Sequence, residues 1–336
     1  MFRLRAFMKL AVSLLVLWGG VLSARAEGVL GGLEKVHLFG NEYVRLSDWA
    51  RACRFQVQWT RPDEEVQVST RWSKLVFTVD SPKADVNGIT VFLSVPIAAR
   101  HGMAYIALVD LQTAVHPVLF PPKNKGRVPV MSVCLDPGHG GKDPGNEEGV
   151  RKEKEYTLLL AWDVRRLLVG AGLKVNLTRT TDSFVGLPDR PELAKRRDSD
   201  LLISLHFNSA IAEKNHVNGV EVYCMTPAGV SSTNARGEGA ETGASKGNAF
   251  DAKNMLLAYQ LQKSIVKDLG AEDRGVRRAR FAVLRNAELP AALVEAGFMS
   301  HPQESKKIFD SEYRRQLAQV IADGILAYKR LVERSD

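Results

Sequence analysis

Two histidines and two glutamates stand where the sequence predicts that strands or helices begin or end. His139 follows an apolar run in a glycine-rich turn, His206 and Glu295 each close another apolar run, and Glu153 opens a predicted helix. In an open α/β sheet, ligands bind at the carboxyl ends of the strands. Side chains from separate parts of the chain can therefore meet at this edge.

Two histidines and one carboxylate are the usual protein ligands of a catalytic zinc ion, which keeps a fourth position for water. A second carboxylate that does not bind the metal can act as a general base. The HExxH motif of the common zinc-peptidase helix is absent from the sequence, which excludes that class. A metal hydrolase is one interpretation of the four residues.

Each residue also has an ordinary structural explanation. A single histidine in a turn is more often structural than a ligand. Glu153 can be a favourable negative charge at a helix N-terminus. Glu295 is harder to explain in this way, because a carboxylate at the end of a buried strand costs desolvation energy unless it has a partner or a function.

The elements that must position these residues alternate between strand and helix over residues 130–332, which predicts an α/β domain with a largely parallel sheet flanked by helices. The predicted strands are Val130–Leu135, Leu173–Leu177, Leu201–Leu205, Gly219–Cys224, Phe281–Leu284 and Ala291–Val294, and the predicted helices are Glu155–Val169, Asp189–Arg197 and a long C-terminal helix through Tyr313 and Tyr328.

A small α+β accessory domain is predicted over residues 33–120, followed by a proline-containing linker at residues 121–129. Its short runs alternate as in strands, and the segment that begins at Tyr43 recurs at Tyr105. Residues 227–248 are rich in small and polar types and predict a mobile loop, either a tolerated insertion or a regulatory segment.

Residues 1–26 have the pattern of a secretory signal peptide: a basic start, the apolar stretch Leu10–Leu22 and a small-residue cleavage site at Ala24–Ala26. Its removal takes away four basic residues and lowers the net charge from +8 to +4. This mild bias suits an anionic polymer of the cell envelope and is weak evidence for nucleic-acid binding. We therefore expect an exported protein of the periplasm or cell envelope that has no nucleic-acid partner and no stable membrane insertion after cleavage.

The 336-residue composition excludes several other classes. Hydrophobic residues make up 45% of the chain and charged residues 25%, which is typical of globular proteins. Three cysteines without CxxC spacing exclude a disulfide-rich miniprotein and predict buried, reduced side chains.

Six sequence blocks, in order, resemble the zinc-dependent N-acetylmuramoyl-L-alanine amidases of bacterial cell walls. The blocks are Leu135–Gly145, Glu153–Lys154, Ser204–Asn208, Gly219–Tyr223, Phe281–Arg285 and Leu293–Ser300. The resemblance implies that His139, Glu153 and His206 bind Zn²⁺ and that Glu295 is the catalytic carboxylate. It also implies cleavage of the amide bond between N-acetylmuramic acid and L-alanine in peptidoglycan. Glu155 competes with Glu153 for the ligand role, and the family pattern of Glu-Lys before a helix favours Glu153.

Residues 33–120 resemble, more distantly, the small N-terminal domain of copper amine oxidases. The two tyrosine segments and Val86–Gly88 carry this resemblance, and His37, His101 and His116 lack the spacing of metal ligands. An accessory or wall-positioning role is expected.

Two other functions stay open at this stage. A zinc carboxypeptidase acting on cell-wall peptides would need a cation for the terminal carboxylate, and Arg179 or Arg285 would be candidates. A wall-binding protein that has lost catalysis is the second, although all four site residues are present.

Overall fold

The computed structural model describes residues 28–213, 215–233 and 243–334. The predicted signal peptide at residues 1–26 lies outside the described residues. So do residues 234–242, the centre of the predicted loop at 227–248.

Short strands make up most of the N-terminal part and longer ones the C-terminal part. The strands are β1 (Lys35–Leu38), β2 (Asn41–Arg45), β3 (Gln56–Arg61), β4 (Glu65–Ser69), β5 (Lys74–Thr78), β6 (Lys83–Val86), β7 (Ile89–Phe92), β8 (Ala98–Arg100), β9 (Met103–Ala107), β10 (Ser132–Pro137), β11 (Glu147–Glu148), β12 (Arg151–Lys152), β13 (Lys174–Leu177), β14 (Leu201–Asn208), β15 (Val220–Met225), β16 (Asp273–Ala279) and β17 (Ala291–Phe298).

The long helices all belong to the C-terminal part. The helices are α1 (Leu46–Ala52), α2 (Leu108–Asp110), α3 (His116–Leu119), α4 (Glu153–Gly170), α5 (Asp189–Arg196), α6 (Asp251–Leu269), α7 (Ala282–Arg285), α8 (Pro302–Phe309) and α9 (Ser311–Glu333). A π-helical turn, Leu111–Val115, joins α2 to α3, and 3₁₀ turns occupy Lys125–Arg127 and Lys246–Phe250.

One sheet runs through most of the described chain in the order β13-β10-β14-β17-β15-β16-β7-β6-β5-β4-β3. Strands β13, β10, β14 and β17 are parallel, whereas β15 is antiparallel to β17. The long helices α4, α6 and α9 cover one face of this half of the sheet, and α5 and α7 lie on the other. The predicted α/β class with a largely parallel sheet flanked by helices is confirmed.

The N-terminal strands continue the same sheet. Strand β7 pairs in parallel with β16 through Val91 and Val276, and Thr90 N donates to Asp273 Oδ2 at 2.7 Å. The fully buried Arg278 of β16 donates from Nη2 to Thr113 O at 2.7 Å. The predicted division between residues 33–120 and 130–332 therefore does not coincide with a break in the sheet.

A second, four-stranded sheet contains the two repeated tyrosine segments. Its order is β1-β2-β9-β8, and β2 pairs antiparallel with β9, with Tyr43 opposite Ala107 and Arg45 opposite Tyr105. Each strand leads into a short helix, α1 or α2. The repeat in the sequence is thus a pair of strand-helix units.

The predicted strand Phe281–Leu284 is wrong, because Ala282–Arg285 forms the short helix α7. A four-residue apolar run fits either state, and here Val283 and Leu284 are buried by packing on the sheet rather than by joining it. The pattern analysis also did not predict α6 and β16. The three cysteines are buried and free, as expected. Among the described residues, no helix has the length and apolar character needed to cross a membrane.

Candidate active site

His139 lies in the turn that follows β10, and its backbone φ is +60°. A non-glycine residue keeps this left-handed conformation only where its surroundings enforce it. Two buried arginines do so here: Arg190 Nη2 donates to His139 O at 3.0 Å, and Arg179 Nη2 donates to Gly138 O at 2.8 Å. The imidazole is therefore presented by a strained turn that is firmly held.

Two glycines let the same turn pack against the other site residues. A Cβ atom on Gly138 would lie 2.3 Å from His206 Cε1, and one on Gly145 would lie 2.7 Å from Glu153 Oε2. Real Cβ atoms do not approach other heavy atoms this closely, so a residue with a side chain does not fit at either position without a shift of its neighbours. The glycines of this block are thus required for close approach as well as for turning.

Glu153 is the first residue of α4 and is only 1% exposed. Its Oε1 accepts from Phe207 N at 3.0 Å, and its Oε2 accepts from the backbone and side-chain nitrogens of Asn146, both at 2.9 Å. The helix N-terminus also favours a negative charge. Glu155, by contrast, is exposed on the same helix and lies outside the site.

The structure brings His139, Glu153 and His206 together. Glu153 Oε2 lies 3.1 Å from His139 Nε2, and Glu153 Oε1 lies 3.0 Å from His206 Nδ1. One ligand atom from each residue falls within 4.8 Å of the others, so the group can hold a metal ion. Burial opposes ionisation of Glu153, but hydrogen bonding to His139 and His206 outweighs it and lowers the pKa of Glu153.

A further carboxylate orients the first imidazole. Asp143 Oδ2 lies 2.9 Å from His139 Nδ1. Because an ionised carboxylate only accepts hydrogen bonds, Nδ1 donates to Asp143, which leaves Nε2 as the nitrogen that would bind a metal ion. Such outer carboxylates commonly orient metal-binding histidines.

Glu295 is placed beside this group by strand pairing. It is opposite His206 in the parallel register of β14 and β17. Its Oε2 is buried and has no hydrogen-bond partner among the described residues. Burial, followed by the negative charges of Glu153 and Glu221, raises the pKa of Glu295 well above its usual range. A buried acceptor without a partner is rare in folded proteins and marks this carboxylate as a candidate for function.

The four residues line one cavity of about 320 Å³. Apolar side chains, among them Leu187, Phe281, Val283 and Leu293, line the same cavity. A largely apolar lining with a few polar groups is typical of ligand sites. The wrongly predicted segment at 281–284 thus forms part of the cavity as a helix.

Sequence reasoning did not assign a role to Asp136 and Arg190, which form a fully buried ion pair at 2.8 Å beneath the site. Asp136 also accepts from Thr178 Oγ1 at 2.6 Å and Ser204 Oγ at 2.7 Å. The sequence does indicate that Asp136 needs a partner, since an aspartate within a buried apolar strand is costly without one. The spacing of residues does not identify that partner, which lies 54 residues away.

The two arginines that were candidates for binding a terminal carboxylate lie outside the cavity. Arg179 is 3% exposed and is committed to the carbonyl oxygens of Pro137, Gly138 and Lys154. Arg285 lies on the exposed side of α7. Neither lines the cavity.

Residues 133–327 match the family Amidase_3, described as N-acetylmuramoyl-L-alanine amidase. This match covers more than half of the chain, and the chain therefore belongs to that family. The resemblance inferred from the six sequence blocks is confirmed at this level. The resemblance of residues 33–120 to the copper amine oxidase domain stays a prediction.

Named relatives are about one third identical to the chain over the aligned residues. N-acetylmuramoyl-L-alanine amidase AmiA of Salmonella typhimurium is 32% identical over 232 residues, covering 62% of this chain and 79% of the relative. Probable cell wall amidase LytH of Staphylococcus epidermidis is 33% identical over 200 residues, covering 59% of this chain and 58% of the relative. The chain therefore spans less than two thirds of LytH.

Two solved structures have a similar fold. N-acetylmuramoyl-L-alanine amidase from Clostridium difficile 630 is 31% identical with a TM-score of 0.50, and the match covers 60% of this chain and 97% of that one. The catalytic domain of CwlV from Bacillus (Paenibacillus) polymyxa var. colistinus is 29% identical with a TM-score of 0.50, covering 60% and 99%.

Proposed function

We propose that the chain is an N-acetylmuramoyl-L-alanine amidase that hydrolyses the amide bond between N-acetylmuramic acid and L-alanine in peptidoglycan. The observation that carries this proposal is the combination of family membership with a His-Glu-His group beside Glu295, whose buried Oε2 has no hydrogen-bond partner among the described residues.

His139, Glu153 and His206 are the proposed ligands of Zn²⁺. Two imidazole nitrogens and one carboxylate within 4.8 Å fit the donor set of catalytic zinc, and Asp143 supplies an outer carboxylate. A bound zinc ion polarises the scissile carbonyl and makes the attacking water more acidic. The chain itself supplies the orientation, through the held turn at His139 and the buried N-terminus of α4.

Glu295 is the proposed general base. Its unpaired oxygen can accept a proton from the attacking water and then deliver it to the alanine nitrogen as the amide bond breaks. Burial and two nearby carboxylates raise its pKa, whereas a bound divalent cation would act in the opposite direction. These opposed effects suit a group that must take up a proton and release it again.

We also propose that residues 1–26 direct export to the periplasm or cell envelope. Residues 130–332 form the catalytic domain in this proposal. Residues 33–120 help to position that domain, and residues 121–129 connect the two. The substrate is peptidoglycan in this view. The carboxypeptidase alternative is less well supported, because Arg179 is used inside the fold.

A release assay on purified cell wall tests the proposed reaction. New amino groups on L-alanine are expected, and chelation followed by Zn²⁺ addition should abolish and then restore their release. Release of C-terminal residues instead would show a carboxypeptidase. Binding to wall without release of either product would show a protein without catalysis.

The metal ligands have a separate test. His139→Ala is expected to lose bound zinc and activity together, because it removes one of three protein ligands. Glu155→Ala should keep both, since Glu155 is exposed outside the group. Zinc content of the purified proteins is the measurement. Near-stoichiometric zinc in His139→Ala would remove His139 from the ligand set, and zinc loss in Glu155→Ala would reopen the choice between the two glutamates.

A further inference from the structure

A buried glutamate, Glu221, lies next to the half-buried Glu295. Glu221, which is 3% exposed, is directly opposite Glu295 in the antiparallel register of β15 and β17. Residues opposite each other in such a pair share one face of the sheet, with Cβ atoms about 5 Å apart. Two carboxylates thus stand side by side, and only Glu295 lines the cavity.

Glu221 differs from Glu295 in having a full set of partners. Its Oε1 accepts from Arg274 Nε at 2.7 Å and lies 3.4 Å from Arg277 Nε. Its Oε2 accepts from Tyr223 Oη at 2.6 Å. This carboxylate is therefore occupied by two cations and a hydroxyl, and it cannot itself contact a substrate.

The strand order places Glu221 between Glu295 and the arginines. Glu295 is on β17, Glu221 on β15, and both arginines are on β16. Two strand spacings amount to about 10 Å, a gap that an arginine and a glutamate side chain can bridge together. An unpaired buried carboxylate and a guanidinium at that separation would gain by pairing.

We propose that Glu221 is a positioning residue that binds Arg274 and Arg277 and so keeps Glu295 unpaired and directed into the cavity. This role rests on the proposed amidase function of Glu295. It explains why a strongly basic strand, with arginines at positions 274, 277 and 278, can lie two strands from the candidate base without neutralising it.

Aromatic rings hold the two guanidinium groups from their other sides. Arg274 lies over the Phe298 ring at 5.0 Å, and Arg277 lies over the Phe92 ring at 4.3 Å. Phe92 belongs to β7 of the N-terminal part. The N-terminal strands therefore take part in fixing the charges around the candidate active site, in addition to extending the sheet.

The test is Glu221→Gln, which keeps the shape of the side chain and removes its charge. We expect kcat to fall by at least ~10-fold, because a base drawn into an ion pair loses part of its usual ~10²–10⁴-fold contribution. KM and zinc content should not change. Glu221→Gln combined with Arg274→Gln should regain most of the loss, since the competing cation is gone. A merely structural role would not give this recovery.

Glu304→Gln is the matched control. Glu304 is a half-buried carboxylate near the same strands, and it accepts from Gly219 N at 2.9 Å and Phe298 N at 2.8 Å. Its replacement should lower stability without changing kcat per zinc-loaded molecule. A Glu221→Gln enzyme with wild-type kcat, or a double variant no better than the single one, would overturn the proposal.

Two further measurements test the proposal if Glu221→Gln does not fold or if the wild-type protein is inactive. If Glu221→Gln does not fold, the double variant decides: a kcat within ~10-fold of wild type supports the proposal, and a loss as deep as that of Glu295→Gln, expected in the ~10²–10⁴-fold range, contradicts it. If the wild-type protein releases no alanine amino groups, the amidase function fails by itself. A crystal structure of the Glu221→Gln variant then still shows whether Arg274 moves to within about 3.5 Å of Glu295 when Glu221 loses its charge.

Discussion

Glu295→Gln is expected to lower kcat on purified cell wall by ~100-fold or more, while the protein stays folded and keeps its zinc. Glutamine preserves the shape of the side chain but cannot accept a proton, and general acid–base groups typically contribute ~10²–10⁴-fold. The substitution also places a neutral group where burial and the charges of Glu153 and Glu221 disfavour an ionised one. Stability should therefore not fall.

Zinc content, unfolding and wall binding must be measured alongside kcat. Glu155→Gln is a suitable control because it makes the same chemical change at an exposed position of the nearby helix α4. Loss of zinc from Glu295→Gln would make Glu295 a ligand instead of a base. Full activity would make it a structural charge, and either result would overturn the proposed mechanism without affecting family membership.

The half of the fold that carries the candidate site was largely predictable because parallel strands buried on both faces appear as short apolar runs. The runs at Leu201–Leu205 and Ala291–Val294 are such cases, and both belong to longer strands that continue to Asn208 and Phe298. The grouping of His206 and Glu295 was predictable for a related reason: each apolar run stops at one of these residues in the C-terminal half of its strand. The register of β14 and β17 then places those two residues side by side.

Two elements that the sequence pattern does not predict, β16 and α6, have side chains that do not follow the usual polarity. Strand β16 carries three arginines, and Arg278 is fully buried at the contact with the N-terminal part. Helix α6 is buried around most of its circumference and includes buried Asn254 and Gln262, which bind backbone groups of neighbouring strands. Partners distant in sequence determine such positions, so no local period reveals them.

The contacts that hold the His139 turn are equally hard to predict from local sequence patterns. From the sequence, Arg179 is a candidate for binding a substrate carboxylate, whereas in the structure it donates to carbonyl oxygens of the His139 turn. A cation in a loop after a strand is compatible with both roles. Only the three-dimensional contacts separate them.

Arg190→Met is expected to destabilise the fold by about 3–5 kcal/mol, the usual cost of removing one partner from a buried ion pair. Asp136 is fully buried and would keep only the hydroxyl donors Thr178 and Ser204. The carbonyl oxygens of Pro137 and His139 would also lose a donor. Because that turn presents a proposed ligand, zinc affinity should fall together with stability.

Lys195→Met on the same helix, α5, provides the control. Its ion pair with Glu288 is exposed, with 53% and 33% of the two side chains accessible, so its loss should cost at most about 1 kcal/mol. Urea unfolding should be measured after chelation, since bound metal stabilises the folded state by mass action. Adding Asp136→Asn to Arg190→Met should recover part of the loss, because it discharges the orphaned carboxylate. Equal costs for Arg190→Met and Lys195→Met, or no recovery in the double variant, would show that the buried pair does not stabilise the turn that carries His139.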